Sequence, residues 1–464
     1  MSLRVEKVRR DVLFRGEDSL DNPKSQARHA IATQQKGQAM ILGLVLCGVG
    51  VLAWLAMLEL GQRVHDQSSL HRATDAAVYS AALMQARALN LHAYLNRAHI
   101  AHQIGMAHLI AAATASQYRD KLAHQALRRN PPPSLMGAFF GPQHAVAYMA
   151  ALSGGIGDAH SQNTFRQAFL RHEKHVHQIL DRVRQLQIRN ADLQREQAMH
   201  RMLIANVGQS GGAIKGDTLQ QLGLSLALTL DESKGFVTQL SANNTVWRDF
   251  LTGLVDQYGF LSERNQTHRN VWLVNPRCPL KRHELRRRGR LQLGRDGHWL
   301  SDETLSFHAL RHNKMIGCYH REYPMGWAVL KTQRDRQTVG QDAVVLPEFS
   351  RQVFWRWSLA QRAGRWNILR GHQNLLAQRY GQSASIKWSS KGLGRYVQIT
   401  PARESKPLRV AIKVSQKLAT SEIHSVATAQ TYYSPPKDDP HRSRSPSLFE
   451  PYWRATLVPN EQQR

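Results

Sequence analysis

The sequence predicts an α+β protein: an N-terminal transmembrane helix continues into long α-helices, and a β-rich region closes the chain. Three observations predict it. Residues 39–58 form an uncharged apolar run. Residues 62–130 contain no proline and a single glycine, Gly105, amid abundant alanine. From about Val271 onward, short stretches alternate apolar and polar residues with the period of a strand. Helices first and strands second is the order of the α+β class.

The apolar run from Ala39 to Leu58 holds 20 residues without charge or proline. As a helix it spans about 30 Å, the thickness of a bilayer's hydrocarbon core. A buried helix of a soluble core is the competing account, but uncharged helices of this length are rare there. A cleaved signal peptide fits poorly, because a polar arm of 38 residues precedes the run. Lys24, Arg28 and Lys36 outnumber Arg63 and Arg72 near the run, and eight Lys or Arg precede Ala39. Positive residues stay on the cytoplasmic side. The expectation is therefore a cytoplasmic arm over residues 1–38, a single inner-membrane span over 39–58, and the bulk of the chain in the periplasm.

Residues 59–130 read as an alanine-rich helical region. Leu70, Thr74, Ala77, Ala81, Met84, Ala88, Leu91, Leu95 and Ala98 follow alternating steps of four and three, a heptad seam. This seam serves either packing on the helix's own domain or lateral packing against other subunits. Pro131, Pro132 and Pro133 break the pattern, and a glycine patch follows at Gly154, Gly155 and Gly157. Residues 131–264 form a second helical region. Its long helix runs from about Gln162 to Asn206, with a seam of Val176, Ile179, Val183, Leu186, Asn190 and Leu193. The two long helices are expected to pair as a hairpin. Further helix is expected from Leu219 to about Arg264. Residues 265–464 form the basic, β-rich region, where Leu408, Val410, Ile412 and Val414 alternate with polar or small residues. Val397, Ile399 and the stretch Trp272 to Val274 look similar.

Composition limits the chemistry. Of 464 residues 21% are charged, and the mean hydropathy is −0.46, so most of the chain is water-compatible. The net charge of +28 calls for anionic company. Lys281, Arg282, Arg286, Arg287, Arg288 and Arg290 make the densest basic run. Trp272 and Trp299 flank it and do not interleave with it, unlike the stacking aromatics of a nucleic-acid surface. It is read either as a solvated loop or as a contact for anionic envelope lipids, and no nucleic-acid partner is expected. A basic nucleic-acid binder is the third reading of the chain and requires a cytoplasmic domain or extracellular DNA.

Three cysteines make neither a disulfide framework nor a zinc cluster. Cys47 lies in the apolar run, which leaves Cys278 and Cys318 as the candidate bridge, worth about 4 kcal/mol, or as two unrelated thiols. Among 23 histidines, the densest group is His172, His175 and His177. It lacks the four-residue spacing of a helical zinc pair, and no carboxylate or cysteine completes a ligand set. The loop ending Gly211-Gly212-Ala213-Ile214-Lys215-Gly216 lacks the Gly-Lys-Ser/Thr of a phosphate cradle, and Asp438-Asp439 sits in a proline-rich tail. No catalytic, cofactor or metal residues are assigned. A membrane-tethered enzyme or metal-dependent factor is the rival reading, resting on histidine content and size alone.

Gly37-Gln38-Ala39-Met40, the apolar run and Leu70-His71-Arg72-Ala73-Thr74-Asp75-Ala76-Ala77 resemble the TadE/TadG-like proteins of tight-adherence (Flp) pilus assembly. So do Gln85-Ala86-Arg87-Ala88-Leu89-Asn90 and Ala93-Tyr94-Leu95-Asn96-Arg97-Ala98. The ending Leu448-Phe449-Glu450-Pro451-Tyr452-Trp453-Arg454-Ala455 resembles that of the larger members. The resemblance covers about residues 36 to 115 and the C-terminus. It implies a single-pass, non-catalytic accessory protein without cofactor, whose partners are the bilayer and other pilus-assembly or envelope proteins. Its motif residues are Asp75, Ala76, Ala77, Asn90, Tyr94, Asn96 and Arg97. Processed pilin-like members carry Glu five residues after the cleaved glycine. Leu42 stands there in this chain, so an uncleaved anchor is expected.

Overall fold

The computed structural model describes residues 38–153, 159–208, 218–240, 245–253, 257–334, 338, 373–401, 407–418, 421–436 and 445–459. The polar arm with Gly37, the Gly154–Gly157 patch, the Gly211–Gly216 loop and Asp438-Asp439 lie outside them. The protein is α+β, with helices leading and strands following. It divides into two units, Met1–His65 and Asp66–Arg464.

Helix α1 runs from Gln38 to Leu127. In the first unit its side chains from Met40 onward are exposed, with Met40 at 79% and Leu44 at 73%. Its most apolar window has a mean hydropathy of 2.5 and no buried residue. Among the described residues this is the one helix long and apolar enough to cross a membrane.

In the second unit, α1 is the spine on which successive cores assemble. Leu70, Ala73, Ala77, Val78, Ala81 and Ala82 pack against Val410, Ile412 and Val414. Ala86 and Leu89 meet Phe236, Val397 and Trp453. Met106, Ile110 and Ala113 meet Leu291, Trp299 and Leu330, and Tyr118, Leu122 and Ala126 meet Phe307 and Met325. Alanine on so much of this face lets the helix approach closely. One close approach is at Gly326, where an added Cβ would stand 2.9 Å from the Tyr118 ring. The first seam thus serves packing within the chain; Leu70, Thr74, Ala77 and Ala81 are each 0% exposed, which excludes them from contact with another subunit.

The proline run ends α1's helical pattern. Pro132 caps and Pro133 starts α2 (Pro133–Phe140), where a missing N–H costs nothing. Helix α3 (Pro142–Ser153) follows. The second long helix comprises α4 (Ala159–Lys174), one π-helical segment (His175–Leu180) and α5 (Asp181–Gly208). It pairs antiparallel with α1: Gln162 donates to the Ala113 carbonyl at 2.8 Å, His172 meets His102, and Met199 and Leu203 join the core of Leu70 to Ala82.

The expected second seam is turned away from that core. Val176 is buried, but Ile179, Val183, Leu186 and Leu193 are 38–53% exposed, and Asn190 is exposed too. The inward positions are Leu180, Arg184, Gln187 and Ala191, each one residue after an expected position, and then Arg195. The π segment supplies the reason. Its wider turn accommodates one extra residue, so the inward face slips by one position between Val176 and Leu180.

Among the described residues the strands form three sheets. The first has the order β1 (Leu224–Asp231), β9 (Leu408–Lys417), β10 (Glu422–Tyr433), β11 (Trp453–Val458), all antiparallel. A small sheet pairs β2 (Val237–Leu240) with β8 (Tyr396–Ile399). The five-stranded sheet has the order β3 (Gln266–Arg269), β4 (Glu284–Leu293), β5 (Trp299–Asn313), β6 (Gly317–Gln333), β7 (Ile386–Ser389), with β6 and β7 parallel. The described residues also include helix α6 (Thr245–Thr252) and helix α7 (Leu375–Ser383).

Two expectations are corrected here. Leu219 to Arg264 is not a long helix: its described residues hold β1, β2 and the short α6. The signal was present, since Leu224, Leu226, Leu228 and Leu230 alternate with Ser225, Ala227 and Thr229, a period of two. Trp272 to Val274 is not a strand but a bend, with Val271 beside it 88% exposed.

Candidate functional site

The motif residues of α1 hold the C-terminal segment by its backbone. The Asn90 amide donates to the Trp453 carbonyl at 3.0 Å, and its oxygen accepts the Trp453 N–H at 3.0 Å. Asn96, fully buried, donates to the carbonyls of Val397 at 2.7 Å and Leu448 at 2.9 Å, and accepts the Val397 N–H at 3.4 Å. Asparagine suits this task because one short side chain both donates and accepts. The clamped segment is secured further. The Trp453 indole donates to the Ser447 carbonyl at 3.0 Å, and the Tyr433 hydroxyl donates to the Glu450 carboxylate. Thr431 on β10 donates to the Ala82 carbonyl at 2.9 Å. The two segments that carry the family resemblance, hundreds of residues apart, meet here.

The other motif residues divide by face. Ala77 is buried and Ala76 half-buried, whereas Asp75, Tyr94 and Arg97 are exposed. Tyr94, at 58% exposure, is a large ring turned to solvent on a helix whose opposite face is packed.

Much of the basic run is engaged by partners within the chain. Arg286 is buried and donates to Glu284 at 2.7 Å, and Arg269 donates to the same carboxylate at 2.9 Å. Burial opposes ionisation of Glu284, but the Arg286 guanidinium outweighs it and holds the carboxyl below its ordinary value. Arg290 pairs with Asp302 at 2.7 Å, and Arg264 with Glu303 at 2.7 Å. For both of these carboxyls burial dominates and raises the pKa. Arg288 donates to the Gln266 carbonyl and the Thr267 hydroxyl. Lys281 donates to the Cys318 carbonyl at 3.1 Å, and Arg282 to the Pro279 carbonyl at 2.6 Å. Arg287 faces Glu303 at 3.9 Å, and its guanidinium lies over the Tyr118 ring at 5.6 Å. Acidic partners from β5 lie too far along the chain for the run's local sequence to announce them.

Sequence reasoning also missed a buried polar group around α7. Glu322 accepts the N–H groups of Leu376 at 2.8 Å and Ala377 at 3.0 Å, capping that helix from β6. Asn374 donates to the Arg286 carbonyl at 2.8 Å and bonds His308 at 2.9 Å. No local motif marks either residue.

A disulfide joins Cys278 to Cys318 across a Cα–Cα distance of 5.9 Å, tying the loop before β4 to the start of β6. Cys47 is a free, exposed thiol in α1. The His102 and His172 rings approach to 2.9 Å between Nδ1 atoms, and His102 stacks on His175 with centroids 5.2 Å apart. Among the described residues no group of three or more His, Cys, Asp or Glu is placed to hold a metal ion. His92 and His99 lie deeper. Burial first, then the nearby Arg184 guanidinium, depress their pKa values to about 4 and about 3. Arg184 itself is buried and donates to the Arg395 carbonyl at 2.5 Å, so it supports the small-sheet connection from the helix side. No family model, curated protein or solved structure matches this chain.

Proposed function

We propose that this protein is a membrane-anchored, non-catalytic component of a Flp-type (tight-adherence) pilus assembly or of cell-envelope anchoring. The observation that carries the reading is the clamp. Asn90 and Asn96 of the pilin-like helix grip the backbone of the Leu448 to Trp453 ending. The Asn90 and Asn96 segments of the TadE/TadG-like resemblance and its C-terminal ending lie in one structural unit and are bonded to each other. The exposed apolar stretch of α1 supports anchoring, because no burial within the chain satisfies it. On this reading residues 39–58 span the inner membrane, the arm is cytoplasmic and Asp66 to Arg464 is periplasmic. The oxidising periplasm suits the Cys278–Cys318 bridge. Partners are other assembly or envelope proteins, met through exposed motif side chains such as Tyr94 and Arg97.

Two measurements in the native host test this together. A C-terminal alkaline phosphatase fusion is expected to be active and membrane-bound, and deletion of the gene is expected to abolish or sharply reduce surface pili. An inactive, cytosolic fusion, or normal piliation without the gene, overturns the proposal.

A further inference from the structure

At one end of the five-stranded sheet two segments meet, the loop over residues 270–283 before β4 and the turn that joins β5 to β6. The Cys278–Cys318 bridge ties them, and Lys281 donates across to the Cys318 carbonyl at 3.1 Å. The turn is closed locally by the Asn313 side chain, which accepts the Met315 N–H at 2.8 Å. This crosslinked pair presents apolar side chains to solvent. Leu280 is 96% exposed and Met315 81%, Val271 is exposed to a similar degree, and Trp272, Leu273 and Ile316 are about half exposed. Folding gains nothing by leaving such a group of side chains in water, and a surface of this kind marks an interaction site.

The charge around these side chains has one sign. Residues 271–283 and 311–320 contain Arg277, Lys281, Arg282, Arg311 and Lys314, and no Asp or Glu. Lys281 and Arg282 donate to backbone carbonyls, which accept a hydrogen without neutralising a cation. The adjoining acid, Glu284, is buried and bonded by Arg286 and Arg269. A protein–protein interface gathers apolar side chains into a core depleted of charge. Apolar tips interleaved with cations, an indole among them, instead match a bilayer surface. There apolar groups enter the acyl boundary, indoles lie at headgroup level and cations meet phosphate.

We propose that this disulfide-tied tip docks on an anionic bilayer surface. Leu280, Val271 and Met315 enter the boundary between headgroups and acyl chains, and Arg277, Lys281 and Lys314 meet lipid phosphates. Within the second unit the tip belongs to the Leu127 end of α1. β5 passes Met106 to Ala113 at Trp299 and Tyr118 to Ala126 at Phe307, then runs on to the turn. About 90 Å of helix separates Leu127 from Asp66, so the tip is remote from the Asp66 end of its unit. The inference stands on the tip alone and does not use the anchoring of residues 39–58.

The full chain, held in phosphatidylcholine nanodiscs, is mixed with separate vesicles and binding is read by flotation at physiological salt. Vesicles of mixed phosphatidylglycerol and phosphatidylcholine are expected to carry the chain up at least ten-fold more strongly than pure phosphatidylcholine. Leu280→Ser combined with Met315→Ser, both at exposed positions and without change of charge, is expected to weaken binding to the anionic vesicles about ten-fold. That pair separates a docking tip from the general attraction of a basic chain. Arg277→Gln combined with Lys314→Gln is also expected to weaken it about ten-fold. No binding to the anionic vesicles, equal binding to pure phosphatidylcholine, or unchanged binding in either double variant overturns the proposal. Self-association of the chain that the serine pair abolishes also overturns it, by assigning the tip to a second copy.

Discussion

The two long helices of this protein carry similar heptad patterns and use them in opposite ways. In α1 the positions Leu70, Thr74, Ala77 and Ala81 are sealed against the first sheet and the second helix. In α5 the positions Val183, Leu186, Asn190 and Leu193 face outward, while two arginines, Arg184 and Arg195, point in. The difference arises at six residues. A π segment at His175–Leu180 shifts the inward face by one position, and nothing in the apolar spacing marks it. Periodicity identifies a helix and a stripe, but one extra residue, worth about 100° of rotation, decides which stripe meets the core. Buried arginines are retained because each has a specific acceptor: Arg195 bonds Asp231 at 2.7 Å, and Arg184 bonds the Arg395 carbonyl.

The contrast is open to direct attack. The largest effect is expected at the sealed seam. Leu70→Ala should lower unfolding stability by about 2–5 kcal/mol in urea titrations, whereas Leu193→Ala, on the outward stripe, should change it by less than about 0.5 kcal/mol. Equal effects would mean that the outward stripe is buried after all.

Acid should act on the buried histidines next, at His92 and His99 in the helix-hairpin interior and at His283 and His308 by the five-stranded sheet. His92 and His99 are neutral when folded, with values near 4 and 3 against an ordinary 6.5. Above pH 6.5 both states are neutral and the full stability is present. As pH falls from 6.5 toward 4, the unfolded chain takes up protons that the folded one refuses, so stability is lost. His92 alone contributes on the order of 3 kcal/mol to that loss. Urea titrations at pH 7.5, 5.5 and 4.5 read it, and His92→Gln should flatten the profile over that window.

The clamp ranks third. Asn96→Ala leaves two buried carbonyls without their donor and should cost about 1–3 kcal/mol; Asn90→Ala, at a half-buried position, should cost less. Protease nicking after Leu448 offers an independent readout, faster in both variants. The smallest effect is the most diagnostic of the slip. Deleting the exposed Gln178 from the π segment should restore an α-helix without rotating α5, changing stability by less than about 1 kcal/mol. Unfolding on that deletion would show that the extra residue is required, not merely accommodated.

Much of the architecture was legible because its signals are local. The uncharged run at 39–58, the alanine-rich helix after it and the alternation of Leu408, Val410, Ile412 and Val414 each declare themselves within a few turns or pleats. β1 was equally legible, since its leucines alternate, but a helical neighbourhood hid it. The candidate site was legible only in part. The motif asparagines were visible through family resemblance, yet their partners at Val397, Leu448 and Trp453 are set by long-range packing. The basic run was visible as charge, but Asp302 and Glu303 pair with its arginines from β5, while Glu284 does so from within the run.

The sequence by itself determined which segments are apolar, helical or extended, because those preferences depend on residues a few positions apart. Only the tertiary structure decided which helix face turns inward and which arginines find carboxylates. Those outcomes depend on side chains brought together from distant parts of the chain, where burial and hydrogen-bond satisfaction act on groups that share no local pattern.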